Sequence, residues 1–160
     1  MAPTTSTLHP NLAVVGAEDA IDFYVRAFGA EVVSVITAQG TVVHSDLRLG
    51  TSTFTVAEAM PDLGSAAPAV DGPAHVSFTL DVPDADAAFA RAVEAGAVVV
   101  SEPADEFHGG RIAQLRDPFG HRWFLNQFLR EVSPEEMQQA VDAWAAQQTV
   151  DTAAARQAED

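Results

Sequence analysis

Residues 75–80, His75-Val76-Ser77-Phe78-Thr79-Leu80, alternate strictly between polar and apolar side chains. Successive side chains on an extended strand point to opposite faces, so this segment reads as a β-strand with a polar face (His75, Ser77, Thr79) and an apolar face (Val76, Phe78, Leu80). The apolar face needs a cover, and the next segment supplies one. Pro83 and Asp84 open a helix in which Ala85, Ala88, Phe89, Ala92 and Val93 recur at helical spacing, and Gly96 suits a left-handed stop. A β-branched run follows at 97–101. Gly109-Gly110 and Asp117-Pro118-Phe119-Gly120 then mark turns into strands at 111–116 and 121–127. The order is strand, helix and three strands.

The first half repeats this order. Leu12 and Val14 pair with a helix carrying Ile21, Tyr24, Val25 and Phe28 that stops at Gly29, and strands are expected at 31–37, 42–49 and 51–56. Both helices end in Gly-Ala, at Gly29-Ala30 and Gly96-Ala97. Fourteen positions separate His9 from Phe23, and fourteen separate His75 from Phe89; four separate Gly50 from Phe54, and four separate Gly120 from Phe124. Two copies of one βαβββ module are therefore expected. The fold class is α+β, with a cup-shaped mixed sheet, helices outside and a C-terminal helix. The expected division is a disordered N-terminus at 1–7, a first module at 8–59, a linker at 60–73, a second module at 74–129, a helix at 130–148 and a disordered tail at 149–160. Ser133-Pro134-Glu135-Glu136 starts the last helix, with Ser133 as cap and Glu136 placed for a capping box. Met137, Ala140, Val141, Trp144 and Gln148 share one of its faces, and the helix is expected to dock on the sheet or on a partner subunit.

The 160-residue chain has a net charge of −15, from 8 Lys plus Arg against 23 Asp plus Glu. So acidic a surface repels nucleic-acid backbones and anionic membranes, and it would favour a cationic ligand by steering. The absence of Cys excludes thiolate catalysis, disulfides and Cys-ligated zinc. No apolar run reaches the length of a membrane span, and residues 1–7 lack the pattern of a signal peptide, so a cytoplasmic protein without membrane partners is expected.

With helices on one face of the strands, the other face carries His9, Asn11 and Ala13 in one module and His75, Ser77 and Thr79 in the other. Polar residues there argue for a ligand-accepting cavity. Phe54 and Phe124, at matched spacing, are expected to line it, with Trp123 turned to the helix-side core. Arg122, Asn126 and Gln114 supply polar contacts. His44, Asp46 and Arg48 alternate on one strand and form either a polar row in the cup or a solvent-facing edge; side chains two apart sit ~6–7 Å apart, a poor dyad spacing. Phe107, His108 and Arg111 at or beside the Gly109-Gly110 turn belong to a loop at the cup's mouth or to an ordinary hairpin tip.

Three stretches carry a family resemblance: residues 12–31 (LAVVGAEDAIDFYVRAFGAE), residues 43–50 (VHSDLRLG) and residues 116–123 (RDPFGHRW). The sequence resembles the vicinal oxygen chelate superfamily of glyoxalases, bleomycin-resistance proteins and ring-cleaving dioxygenases, over roughly residues 8–138. Its PhnB-like branch shares the FYxxAFGAE, DPFGHxW and VSPEEM stretches. The resemblance implies paired βαβββ modules forming a cup, commonly assembled as a dimer, so a homodimer is expected. In the metal-dependent relatives each module gives one His from its first strand and one Glu from its last. By register those positions are His9 and His75, with Phe54 and Phe124 where the two Glu would stand.

The expectation is thus a metal-free cup that binds a planar organic, antibiotic-like ligand through His9, Asn11, His44, Phe54, His75, Ser77, Phe107, Arg111, Gln114, Arg122 and Phe124. The alternative is an enzyme of lyase, isomerase or dioxygenase type. It would use His9 and His75 as general base or as ligands to Fe, Mn, Ni or Zn.

Overall fold

In the computed structural model, which describes residues 6–158, the two modules form as the repeat predicts. The first consists of β1 (Asn11–Val14), α1 (Ala17–Phe28), β2 (Glu31–Ala38), β3 (Thr41–Leu49) and β4 (Ser52–Glu58). The second consists of β5 (Ser77–Asp81), α2 (Ala85–Glu94), β6 (Val98–Asp105), β7 (Gly110–Arg116) and β8 (Arg122–Phe128). Each module makes a four-stranded mixed sheet, in the orders β1-β4-β3-β2 and β5-β8-β7-β6. In both, the first strand runs parallel to the last and the remaining pairs are antiparallel. Neither sheet closes into a barrel. Both first strands, β1 and β5, are sheet edges, and residues of both line the cavities at the seam between the sheets, which no strand pairing bridges among the described residues.

The helices hold the halves together. α1 and α2 pack on each other as well as on their own sheets. Their contact is reciprocal at the C-termini: Arg26 on α1 donates to the Ala95 carbonyl at 3.3 Å, and Arg91 on α2 donates to the Ala27 carbonyl at 3.0 Å. Each cation thereby answers orphan carbonyls at the negative end of the other helix. Phe23, Tyr24 and Phe28 of α1 reach across to Phe119 and Trp123 of the second module, with the Phe28 and Trp123 ring centroids 4.7 Å apart.

At the centre of this junction lies Asp117, only 1% exposed. Tyr24 Oη donates to its Oδ2 at 2.7 Å and Trp123 Nε1 donates to the same oxygen at 2.9 Å. The Phe119 and His121 backbone N–H groups donate to Oδ1 at 3.0 and 2.8 Å, which fixes the β7–β8 turn. Burial is the largest single influence on this carboxyl and pushes its pKa up, but contacts from His121, Tyr24 and Trp123 outweigh it and hold the group below the ordinary aspartate value. The same carboxylate, after burial itself, raises Tyr24 well above its usual range.

α1 begins at Gly16, which has no side chain to cap it. Glu58, the last residue of β4, fills that role from across the module: its carboxylate accepts from Gly16 N at 3.0 Å and Ala17 N at 2.9 Å. Gln127 on β8 does likewise for α2, accepting from Ala85 N at 3.0 Å beside the expected Asp84 cap. Such caps are each worth about 1 kcal/mol. Ser133 caps α3 (Pro134–Ala158), accepting from Glu136 N at 3.1 Å. The Glu136 carboxylate pairs with Arg130 at 2.6 Å instead of closing a capping box.

α3 departs from expectation in two ways. It continues past residue 148 to Ala158, through the stretch read as a tail, where Ala153-Ala154-Ala155 favours helix. It also packs on none of the other elements among the described residues, whereas docking on the sheet or on a partner subunit was expected. The expected linker at 60–73 holds a short 3-10 turn at Pro61–Leu63 and a Met60–Ser65 bridge. Residues 1–5 of the expected disordered N-terminus, and the last two residues, lie outside the described ones.

Candidate functional site

Cross-strand register decides which side chains face the cup. In the first sheet Leu12, Val14, Leu47, Phe54 and Val56 are buried toward the helices, and Asn11 pairs with Thr55, which pairs with Asp46, which pairs with Ser34 across the open face. In the second, Leu115, Trp123 and Leu125 are buried toward the helices, while the open face carries the rows Ser77-Arg122-Arg116 and Thr79-Phe124-Gln114. Trp123 thus turns inward as predicted. Phe54 and Phe124 do not share a face. Phe54 is 5% exposed and meets Tyr24 edge-on at 5.4 Å, whereas Phe124 is half-buried on the open side.

Turn length explains the difference. Gly50-Thr51 is a two-residue turn between the paired residues Leu49 and Ser52, but residues 117–121 intervene between the paired residues Arg116 and Arg122. The turns differ by an odd number of residues, which inverts the pleat, so equal Gly-to-Phe spacing leads to opposite faces. On the open face of β4 stand Thr53 and Thr55.

That first open face is a hydrogen-bonded polar surface. His9 lies just before β1, where Thr7 Oγ1 is 3.0 Å from its Nε2 and the Thr53 hydroxyl is bonded to its Nδ1. The Thr55 hydroxyl donates to Asn11 Oδ1. Ser34 donates to Asp46 Oδ2 at 2.7 Å, and His44 Nε2 lies 3.2 Å from Asp46 Oδ1. His44 and Asp46 are therefore in contact, correcting the spacing argument: their Cα atoms are two residues apart, but the side chains lean together along the strand. The bond from Ser34, then that from His44, lowers the Asp46 pKa.

On the second open face, Arg122 stacks over Phe124, 5.1 Å from ring centroid to guanidinium carbon, and donates to Gln114 Oε1. Asn126 donates to Asp81 at 2.7 Å. Phe107 and Arg111 are not part of this constellation. Arg111 is held in ion pairs with Asp86 and Asp105, both 2.7 Å, which raise its pKa further above the ordinary range. Phe107 is exposed at the hairpin tip, against His108. The adjacent Gly109 is not a loose hinge. It is buried at φ 86°, a Cβ there would collide with the Arg130 carbonyl, and its own carbonyl accepts from Leu129 N and Arg130 N.

Two cavities flank the seam. One, of about 460 Å³, is walled by Leu12, Phe54, Phe78, Leu80 and Trp123, with His9, Thr53 and Thr79 among its polar lining. The other, about 710 Å³, lies between Asn11 and Ala13 of β1, His75 and His121, and is roofed by residues 64–69. His9 and His75, equivalent in the repeat, therefore line different cavities. Ser77 lies on the second open face beside Arg122.

The donor set does not fit the four-ligand metal site of the metal-dependent relatives. Both ring nitrogens of His9 are engaged by hydroxyls, the last-strand positions on the open faces are Thr53, Thr55, Arg122 and Phe124, and Arg122 would repel a cation. Among the described residues no three His, Asp or Glu side chains gather in a way that would hold an ion.

A family model for the glyoxalase/bleomycin resistance protein/dioxygenase superfamily matches residues 6–125. The chain belongs to that superfamily. It is 40% identical over 140 residues to a protein of Mycobacterium tuberculosis strain H37Rv, spanning 85% of this chain and 82% of that one. Among solved structures, TioX from Micromonospora sp. ML1 is 29% identical with a TM-score of 0.60, covering 78% of this chain and all of that one (100%). A PhnB protein from Bacillus cereus, 19% identical, shares the fold with a TM-score of 0.60 over 76% of this chain and 99% of its own. No described helix is long and apolar enough to cross a membrane.

Proposed function

We propose that the protein binds a planar organic ligand, of the flat aromatic kind found among antibiotic-like natural products, and sequesters it in the cytoplasm. The observation that carries this reading is the 460 Å³ seam cavity. Three aromatic side chains wall it, and His9, Thr53 and Thr79 supply orienting polar groups. Its size and its mixture of apolar wall with few polar groups are those of small-molecule sites. Aromatic stacking contributes about 0.5–1.5 kcal/mol per ring pair beyond burial.

Trp123 and Trp144 are the two tryptophans, so a Trp144→Phe background makes Trp123 the reporter of this cavity. Titration with a library of planar heteroaromatics is expected to quench Trp123 saturably for some members, with affinity reduced severalfold by His9→Ala. Unaltered Trp123 emission across the library would remove the basis for the proposal.

A second reading, an enzyme, is favoured by the His44–Asp46 contact, in which Asp46 orients an imidazole as general base. Mass spectrometry of the ligand recovered from each titration separates the two readings. Sequestration returns it unchanged, whereas conversion that is lost in both His44→Ala and Asp46→Asn assigns turnover to this pair.

Assembly as a homodimer belongs to the same proposal. β2 and β6 expose Val32, Val33, Val35 and Ile36, and Val98, Val99 and Val100, while Trp144 on the unpacked α3 is 59% exposed. These apolar surfaces ask for a partner. Sedimentation equilibrium is expected to give twice the chain mass; a monomer at micromolar concentration would count against it.

A further inference from the structure

All eight Lys-or-Arg residues of this acidic chain are arginines, and partners divide sharply the seven whose side chains are described. Arg26, Arg48, Arg111 and Arg130 are paired with carboxylates. Arg91 reaches the end of α1. Arg116 and Arg122, alone among the arginines whose side chains are described, have neither a carboxylate nor a helix end. They are directly opposite each other on β7 and β8, on the same open face. Like charges set across a strand pair repel, so the arrangement costs free energy unless something negative sits between or above them.

The surroundings specify what that is. Arg122 is preset by stacking on Phe124 and by Gln114, and its Nε is shielded from solvent with no acceptor. Arg116 is tethered through one nitrogen to the carbonyls of Val70 and Gly72. Ser77 is the partner of Arg122 on the other side. Thr79, the neighbour of Phe124 in the register, also borders the seam cavity, whose aromatic walls Phe54 and Trp123 face the helices, on the other side of the sheets from the arginine pair.

We propose that the open face of the second sheet receives an oxyanion, and that the ligand of the cup is a planar carboxylate whose charged end is read by Arg122 and Arg116 while its flat body lies along the same face beside Phe124 and Thr79. A carboxylate matches the planar fork of a guanidinium, and a single charge meets less repulsion from a chain of net charge −15 than a phosphate dianion would. This reverses the expectation that the acidic surface selects a cation: the overall field sets the approach, but the local pair sets the binding. The inference rests on the proposed ligand-binding role of the cup.

The test compares 2-naphthoate with its neutral isostere 2-naphthamide, by NMR of the full-length protein. The naphthoate is expected to bind at least tenfold more tightly, to shift Gln114 and Phe124 resonances, and to weaken as salt rises. Arg122→Gln and Arg116→Gln are each expected to abolish the preference for naphthoate while leaving naphthamide binding and the melting temperature unchanged. Arg26→Gln is expected to leave the preference intact. Equal affinities for the two probes, or a preference that survives Arg122→Gln, overturns the oxyanion assignment and leaves the aromatic cavity standing. Failure of both probes to bind overturns the inference together with the reading beneath it.

Discussion

Replacing Asp117 with Ala is expected to lower stability by about 4 kcal/mol, measured by urea unfolding at pH 7. Four hydrogen-bond donors converge on this carboxylate at 2.7–3.0 Å, from Tyr24, Trp123, Phe119 and His121. Deleting the acceptor strands them in a buried site, at about 1–3 kcal/mol for each group left unsatisfied, partly relieved by water entering the cavity. Against a total stability of roughly 5–15 kcal/mol, that loss lowers the melting temperature by about 10 °C. Asp117→Asn keeps one acceptor oxygen for the turn but sets an NH₂ group against Tyr24 or Trp123, and is expected to lose about half as much.

The pH dependence follows from the depressed pKa. The contribution of Asp117 is complete above the unfolded aspartate value near ~4 and is lost as pH falls through the lower folded value. The wild-type protein should therefore shed stability on acidification more steeply than Asp117→Asn does. Parallel acid profiles for the two would show that Asp117 is not ionised in the folded protein.

The second large effect separates two phenylalanines that stand at the same distance after a glycine. Phe54→Ala is expected to cost about 3–5 kcal/mol, the usual range for deleting a core aromatic ring. Phe54 packs against Tyr24 at 5.4 Å and Trp123 at 6.3 Å. Phe124→Ala is expected to cost under about 1 kcal/mol, since that ring lies half-open beneath the Arg122 guanidinium. Equal losses in urea unfolding would mean that both rings are structural.

This contrast also marks how far the sequence could be read. The alternation at 75–80 and the helical spacing at 85–93 depend on local periodicity alone, and both modules follow from them. Trp123 was assignable to the core because its strand alternates cleanly. The faces of Phe54 and Phe124 depended on something nonlocal, the residue count of each preceding turn, and Asp117-Pro118-Phe119-Gly120 gives no sign by itself that it extends to five residues. The His44–Asp46 contact was missed because strand spacing was measured between backbones and not between side-chain tips. Asp117 lay inside a motif read for its turn chemistry, and its partners Tyr24 and Trp123 become neighbours only when the modules meet. Arg111 and Arg122 look alike in the sequence. Only the positions of Asp86 and Asp105 reveal that one is neutralised and the other free to act.

The exchange of Arg26 and Arg91 between helix ends has a consequence for how the halves are joined. It is an isologous contact in kind, in which each half gives what it receives. The two arginines are not at equivalent positions in the repeat, since Phe23 and Phe89 match and Arg26 then falls opposite Ala92, so each half reached the same solution with its own residue. With the union of the halves carried by the helices, the open faces are free to differ, one lined by hydroxyls and imidazoles, the other by guanidinium and an aromatic ring.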